Sequence, residues 1–104
     1  MPSFDLSGLR AAVTANRYRI TQHADERMGL RKVTHADLRQ VILGGQIVEE
    51  YLDNLPDPKV LLMAIVKGEP MYVACAFDGS YAYVITVHHY DPARWIDPMT
   101  RKVQ

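Results

Sequence analysis

Histidines and arginines are the side chains of this sequence best suited to reaction chemistry. Two of them, His23 and Arg27, stand four residues apart in Thr21 to Met28, a stretch that reads as the start of a helix. Side chains four apart share a helix face. Arg31, a further four on, extends that line if the helix continues past Gly29. An imidazole is the side chain whose ordinary titration falls near neutral pH, and a guanidinium is a permanent, forked phosphate ligand. Together they suit general acid-base work on a phosphodiester, in which one group moves a proton and cations hold the developing charge. The plainer assignment has His23 ordering the helix start and Arg27 pairing with a surface acid, because two-residue constellations recur by accident.

A second cluster is Thr86-Val87-His88-His89-Tyr90-Asp91-Pro92. On a strand, Thr86, His88 and Tyr90 share one face, and Tyr83, Ile85, Val87 and His89 share the other. The polar trio would then line an open sheet face. His88 and His89 diverge and His35 begins another helix, so no metal site is expected. Glu49 and Glu50 also point opposite ways, and a solvated edge charge is expected for either. Trp95 reads as a packing residue, and Cys75, set in the apolar run Met71 to Phe77, reads as core. There is no phosphate-binding glycine loop, no paired-cysteine zinc motif, no nucleophile elbow and no helical histidine pair flanking a glutamate. Nucleotide-driven and zinc chemistry are therefore not expected.

The elements that must position these groups can be read from periodicity. Leu6, Leu9 and Val13 recur at helical spacing between Asp5 and Asn16. Arg17 to Ile20 reads as a short extended link, and Thr21 is placed to cap the helix that carries His23, Ala24, Arg27 and Met28, with Gly29 weakening its end. Thr34 and Asp37 match a capping box, Val33 and Leu38 stand at the staple positions, and Leu38, Val41 and Ile42 form a buried stripe. Gly44-Gly45 should close that helix through a left-handed residue. The period then becomes that of strands: Gln46 to Asp53, Val60 to Lys67, Met71 to Phe77 and Tyr81 to His88 are β-rich runs joined by short connections. The expected architecture is α+β, with two or three N-terminal helices packed on one face of a four-stranded antiparallel sheet. The central strands are apolar on both faces, which predicts a shallow concavity on the uncovered side.

A length of 104 residues gives one domain, residues 1–104, and 48% hydrophobic with 23% charged residues is an ordinary globular composition. No apolar run approaches the roughly 18 to 20 residues of a spanning helix, and Met1 to Arg10 lacks the layout of a secretory signal. A soluble cytoplasmic protein with no membrane partner is expected. Twelve basic and twelve acidic residues give a net charge of zero, which argues against an indiscriminate nucleic-acid binder. Locally the balance shifts: Arg10 to Arg39 holds seven basic and three acidic residues, and a basic tail carries Arg94, Arg101 and Lys102.

Three segments in register carry a family resemblance. Thr21-Gln22-His23-Ala24-Asp25-Glu26-Arg27-Met28 resembles the "HAxxRM" opening of a family of small bacterial domains of unknown function. Gly45 to Tyr51 resembles its acidic "G-x-I-x-E-x-Y" stretch, and Ile85-Thr86-Val87-His88, followed by Pro92 and Trp95, resembles its closing "I-T-x-Y…P…W". The departure is His88, where the family often has tyrosine. That family is similar to the RelE, ParE and BrnT toxins of toxin-antitoxin systems. The resemblance implies a RelE-like fold, a metal-independent endoribonuclease that needs no cofactor, an RNA substrate and a protein antitoxin as partner. It implies His23, Arg27 and His88 as catalytic residues, with Arg31, Thr86 and Tyr90 binding RNA, and the ribose 2′ hydroxyl attacking its own phosphate. The alternative is a non-catalytic protein-interaction domain on the same fold, which the zero net charge favours.

Overall fold

Side-chain oxygens start all three helices. A computed structural model describes residues 3–102. Asp5 accepts from the Gly8 amide at 2.9 Å ahead of α1 (Leu6–Thr14), and Thr21 Oγ1 accepts from the Ala24 amide at 3.2 Å ahead of α2 (Gln22–Arg31). Thr34 and Asp37 close the reciprocal capping box of α3 (His35–Gly44). Helix α2 runs on past Gly29 and stops at Lys32, whose φ of 55° is left-handed. Helix α3 ends differently from expectation. Gly45 is extended, with φ −78° and ψ 168°, so a left-handed turn is not why glycine stands there. A Cβ at Gly45 would lie 2.8 Å from the Met63 carbonyl oxygen and closer still to that of Val41, so the helix end and the sheet approach at a distance only glycine allows.

Strands β1 (Tyr18–Ile20), β2 (Gln46–Tyr51), β3 (Lys59–Val66), β4 (Glu69–Phe77) and β5 (Ala82–His89) form one sheet in the order β1-β5-β4-β3-β2. β1 pairs with β5 in parallel, and the other neighbours are antiparallel. The expected four-stranded antiparallel sheet is thus corrected to a five-stranded mixed one. Its fifth strand is the segment read as a link, which pairs Tyr18, Arg19 and Ile20 with Ala82, Tyr83 and Val84. Three residues are too few to show a period, and their partners are some sixty positions away. A second, two-stranded sheet of β6 (Trp95–Asp97) and β7 (Thr100–Arg101) was not anticipated.

The main core lies between the helices and one sheet face. Leu9 and Val13 of α1, Ala24 and Met28 of α2, and Leu38, Val41 and Ile42 of α3 pack there on Val60, Leu62, Val73, Cys75, Val84 and Val87. Burial pushes the Cys75 thiol up to about 12, which leaves it a small hydrophobe. The opposite face is not simply uncovered. Leu61, Met63, Tyr72, Ala74 and Trp95 form a second buried cluster there, roofed by the β6–β7 hairpin. Among the described residues no helix is long and apolar enough to cross a membrane.

Candidate functional site

Thr21 fixes α2 against β5. Its amide donates to the Val84 carbonyl at 3.0 Å and its hydroxyl to the Ile85 carbonyl at 3.2 Å. Because Ala24 and Met28 turn into the main core, the adjoining stripe of His23, Arg27 and Arg31 turns toward β5 and the opposite sheet face. His23 Nε2 lies 3.3 Å from Thr86 Oγ1, across 63 residues of sequence.

Strict alternation along β5 is interrupted at Ile85. Ala74 pairs with Thr86 and Cys75 with Val84, so Ile85 is the extra residue of a β-bulge. Thr86 and His88 share a face with Ala74 and Tyr72, as expected, but Tyr83 pairs with Ala76 and so joins that face as well. Ile85 packs on the cluster beneath the hairpin. The expected grouping of Tyr83 and Ile85 with Val87 is therefore corrected, since one inserted residue reverses every assignment on one side of it.

His88 is half-buried and stacks on Tyr72, with ring centroids 4.9 Å apart and planes 14° from parallel. Its Nδ1 is 3.3 Å from the His89 carbonyl oxygen, which can only accept. That bond assigns the proton to Nδ1 and leaves the Nε2 lone pair available as a base. Burial holds the imidazole below its ordinary pKa, and the cations Arg101, Arg31 and Arg94 act in the same direction, against the bond to His89. The fold therefore favours the uncharged imidazole.

The far wall is the C-terminal hairpin. Trp95 also stacks on Tyr72 at 4.7 Å, and the Arg101 guanidinium lies over the indole at 4.6 Å. Arg101 also meets both oxygens of Glu49, at 3.0 and 2.9 Å, and this pairing holds the Glu49 carboxyl below the usual range. Glu49 is therefore a hairpin anchor rather than a solvated edge charge. Tyr72 donates to the Pro98 carbonyl at 2.6 Å and Tyr90 to that of Trp95 at 3.4 Å.

Between α2, β5 and the hairpin lies a cavity of about 610 Å³. His23, Arg27, Arg31, Thr86, His88 and Tyr90, the six residues singled out from sequence, all line it. Sequence reasoning missed Arg94 and Arg101, which line it too, and Tyr72, which carries the stack beneath His88. The basic tail was the available signal, but nothing in it showed that the chain folds back over the sheet. Among the lining residues four arginines face one carboxylate, Asp91, which is 3.8 Å from Arg94. Such a cavity can hold an anion and move protons beside it. Among the described residues no three histidine, cysteine, aspartate or glutamate side chains are grouped to hold a metal ion.

No curated protein and no solved structure matches the chain. Residues 20–89 match a family described as a domain of unknown function, DUF4258. The matched segment carries His23, Arg27, Arg31, Thr86 and His88, and stops short of Arg94, Trp95 and Arg101. A match over most of the length makes this chain a member of the DUF4258 family.

Proposed function

We propose that this protein is a metal-independent endoribonuclease, with His88 as general base, His23 as general acid, and Arg27 and Arg31 as phosphate ligands. The observation that carries the reading is the convergence of three imidazoles, those of His23, His88 and His89, and four guanidiniums on one cavity, with the fold favouring the uncharged form of His88 and its Nδ1 bonded to a carbonyl. The base takes the proton of a ribose 2′ hydroxyl as that oxygen bonds to the adjacent phosphorus. The bond from phosphorus to the 5′ oxygen breaks, and the acid protonates the departing oxygen. The products are a 2′,3′-cyclic phosphate and a 5′ hydroxyl. Guanidiniums stabilise the charge that builds on the phosphoryl oxygens, and Thr86 and Tyr90 position the nucleotide. The likeness to RelE-type toxins extends the proposal to a protein antitoxin whose acidic segment covers Arg27 and Arg31. A net charge of zero supports a second reading, a non-catalytic interaction domain that uses the same cavity.

Cleavage of a single-stranded RNA in chelator separates the two. The expected outcome is product with cyclic phosphate ends, reduced about 10²- to 10⁴-fold by His88→Ala and by His23→Ala. Arg27→Lys should also be impaired, because an ammonium lacks the planar fork. His23 is exposed, so its variant should melt within a few degrees of the parent. Activity that needs added magnesium or zinc, or that survives loss of both histidines, would remove the ribonuclease reading.

A further inference from the structure

Helix α2 and strand β5 both line the cavity, and their repeats are similar in length. Four residues of helix rise about 6 Å and two residues of strand about 6.6 Å. His23 meets Thr86 at 3.3 Å, and the cavity is lined along α2 by His23, Arg27 and Arg31 and along β5 by residues that include Thr86, His88 and Tyr90. Arg27 and Arg31 therefore stand about 6 Å apart along the helix axis, close to the spacing of successive phosphates along an extended single strand. Arg27 and Arg31 form no ion pair among the described residues, whereas Arg94 has Asp91 and Arg101 has Glu49. Two unneutralised guanidiniums one repeat apart suit two anions better than one.

We propose that the cavity is a track for an extended single-stranded polynucleotide, in which Arg27 and Arg31 hold successive phosphates rather than the same one. The class of ligand rests on the phosphodiester reading above; the stepwise geometry does not depend on cleavage. Tyr90 at the far wall is a half-buried aromatic surface beside the track on which a base can stack.

The test is binding of 2′-deoxy oligonucleotides, which lack the attacking hydroxyl, carrying one, two or three internucleotide phosphates. Emission of Trp95, the single tryptophan, serves as the readout. For the parent protein, affinity should rise about tenfold or more between one phosphate and two, the effect of one further charge-assisted contact. Arg31→Met should abolish that rise and leave the one-phosphate ligand bound within about twofold, because Arg27 still holds it. The proposal is overturned if Arg31→Met weakens the one-phosphate ligand as much as the longer ones, which would place both arginines on one phosphate. It is equally overturned if affinity is independent of length, if a duplex of the same sequence binds as well, or if none of these strands binds. Stepwise binding without RNA cleavage would sustain the track and sink the ribonuclease; cleavage without the step would do the reverse.

Discussion

Within the segment His23-Ala24-Asp25-Glu26-Arg27-Met28, packing and chemistry are assigned to alternate members of one helical turn. Ala24 and Met28 are 0% and 5% exposed in the main core, while His23 and Arg27 line the cavity. The i, i+4 spacing made this division legible in the sequence, since each pair must share a face and the two faces adjoin. The lowered pKa of His88 was not legible, because its causes are burial in the folded protein and three arginines outside β5, Arg101, Arg31 and Arg94. That shift has a consequence for stability. A histidine whose folded-state pKa is depressed binds fewer protons folded than unfolded, so stability rises with pH between the two values. Its contribution is complete above the unfolded value of about 6.5 and is lost as pH falls through that value toward the lower folded one. Asp37, Glu49 and Asp78 are also depressed, but carboxylates exact their loss below about pH 4. Melting temperatures at about pH 7.5 and about pH 5 therefore isolate the histidine. The parent should lose more stability on acidification than His88→Gln; equal losses would mean that His88 is not held neutral by the fold.

At the scale of elements, local signals decided which features could be anticipated. The capping box of α3 needs only Thr34 and Asp37, three residues apart, and it stands as the sequence indicated. The runs that became β2 to β5 were visible because each is long enough to show its apolar pattern. β1 was not, and neither was the bulge at Ile85, since both are set by partners remote in sequence. Gly45 shows how a correct boundary can carry the wrong cause. The glycine pair does end α3, yet the constraint is the close approach to Val41 and Met63, not a left-handed angle. The two glycines are accordingly expected to differ. Gly45→Ala forces a methyl group against two backbone carbonyls and should cost about 1–3 kcal/mol, a fall of roughly 4–8 °C in Tm for each kcal/mol. A Cβ at Gly44 meets nothing within 4 Å, so Gly44→Ala, still helical, should be neutral or stabilising by about 0.5–1 kcal/mol. Similar gains at both positions would show that helix propensity, rather than contact, governs this helix end.

For the whole molecule, the sheet is the shared partition between two cores. Along β3, Val60 and Leu62 face the helices while Leu61 and Met63 face the hairpin; along β4, Val73 and Cys75 alternate in the same way with Tyr72 and Ala74. The hairpin is small enough to look like an appendage that opens on its own. Magnitudes argue otherwise. Trp95 is 1% exposed, and an aromatic side chain buries about 150–250 Å², or about 4–6 kcal/mol at 25 cal/mol per Å². Undocking would also wet Tyr72 and break its bond to Pro98 and the paired contact of Arg101 with Glu49. A domain of this size has about 5–15 kcal/mol of stability in total, so opening the hairpin alone costs a large share of unfolding everything. The hairpin and the main core should therefore unfold together, and the cavity between them should exist only in the native state. Trp95 emission reports on the smaller core and far-ultraviolet circular dichroism on the helices and main sheet. In a denaturant titration the two midpoints should coincide. If emission shifts at a lower denaturant concentration, the hairpin is an independent flap, and Arg94 and Arg101 belong to the cavity for only part of the time.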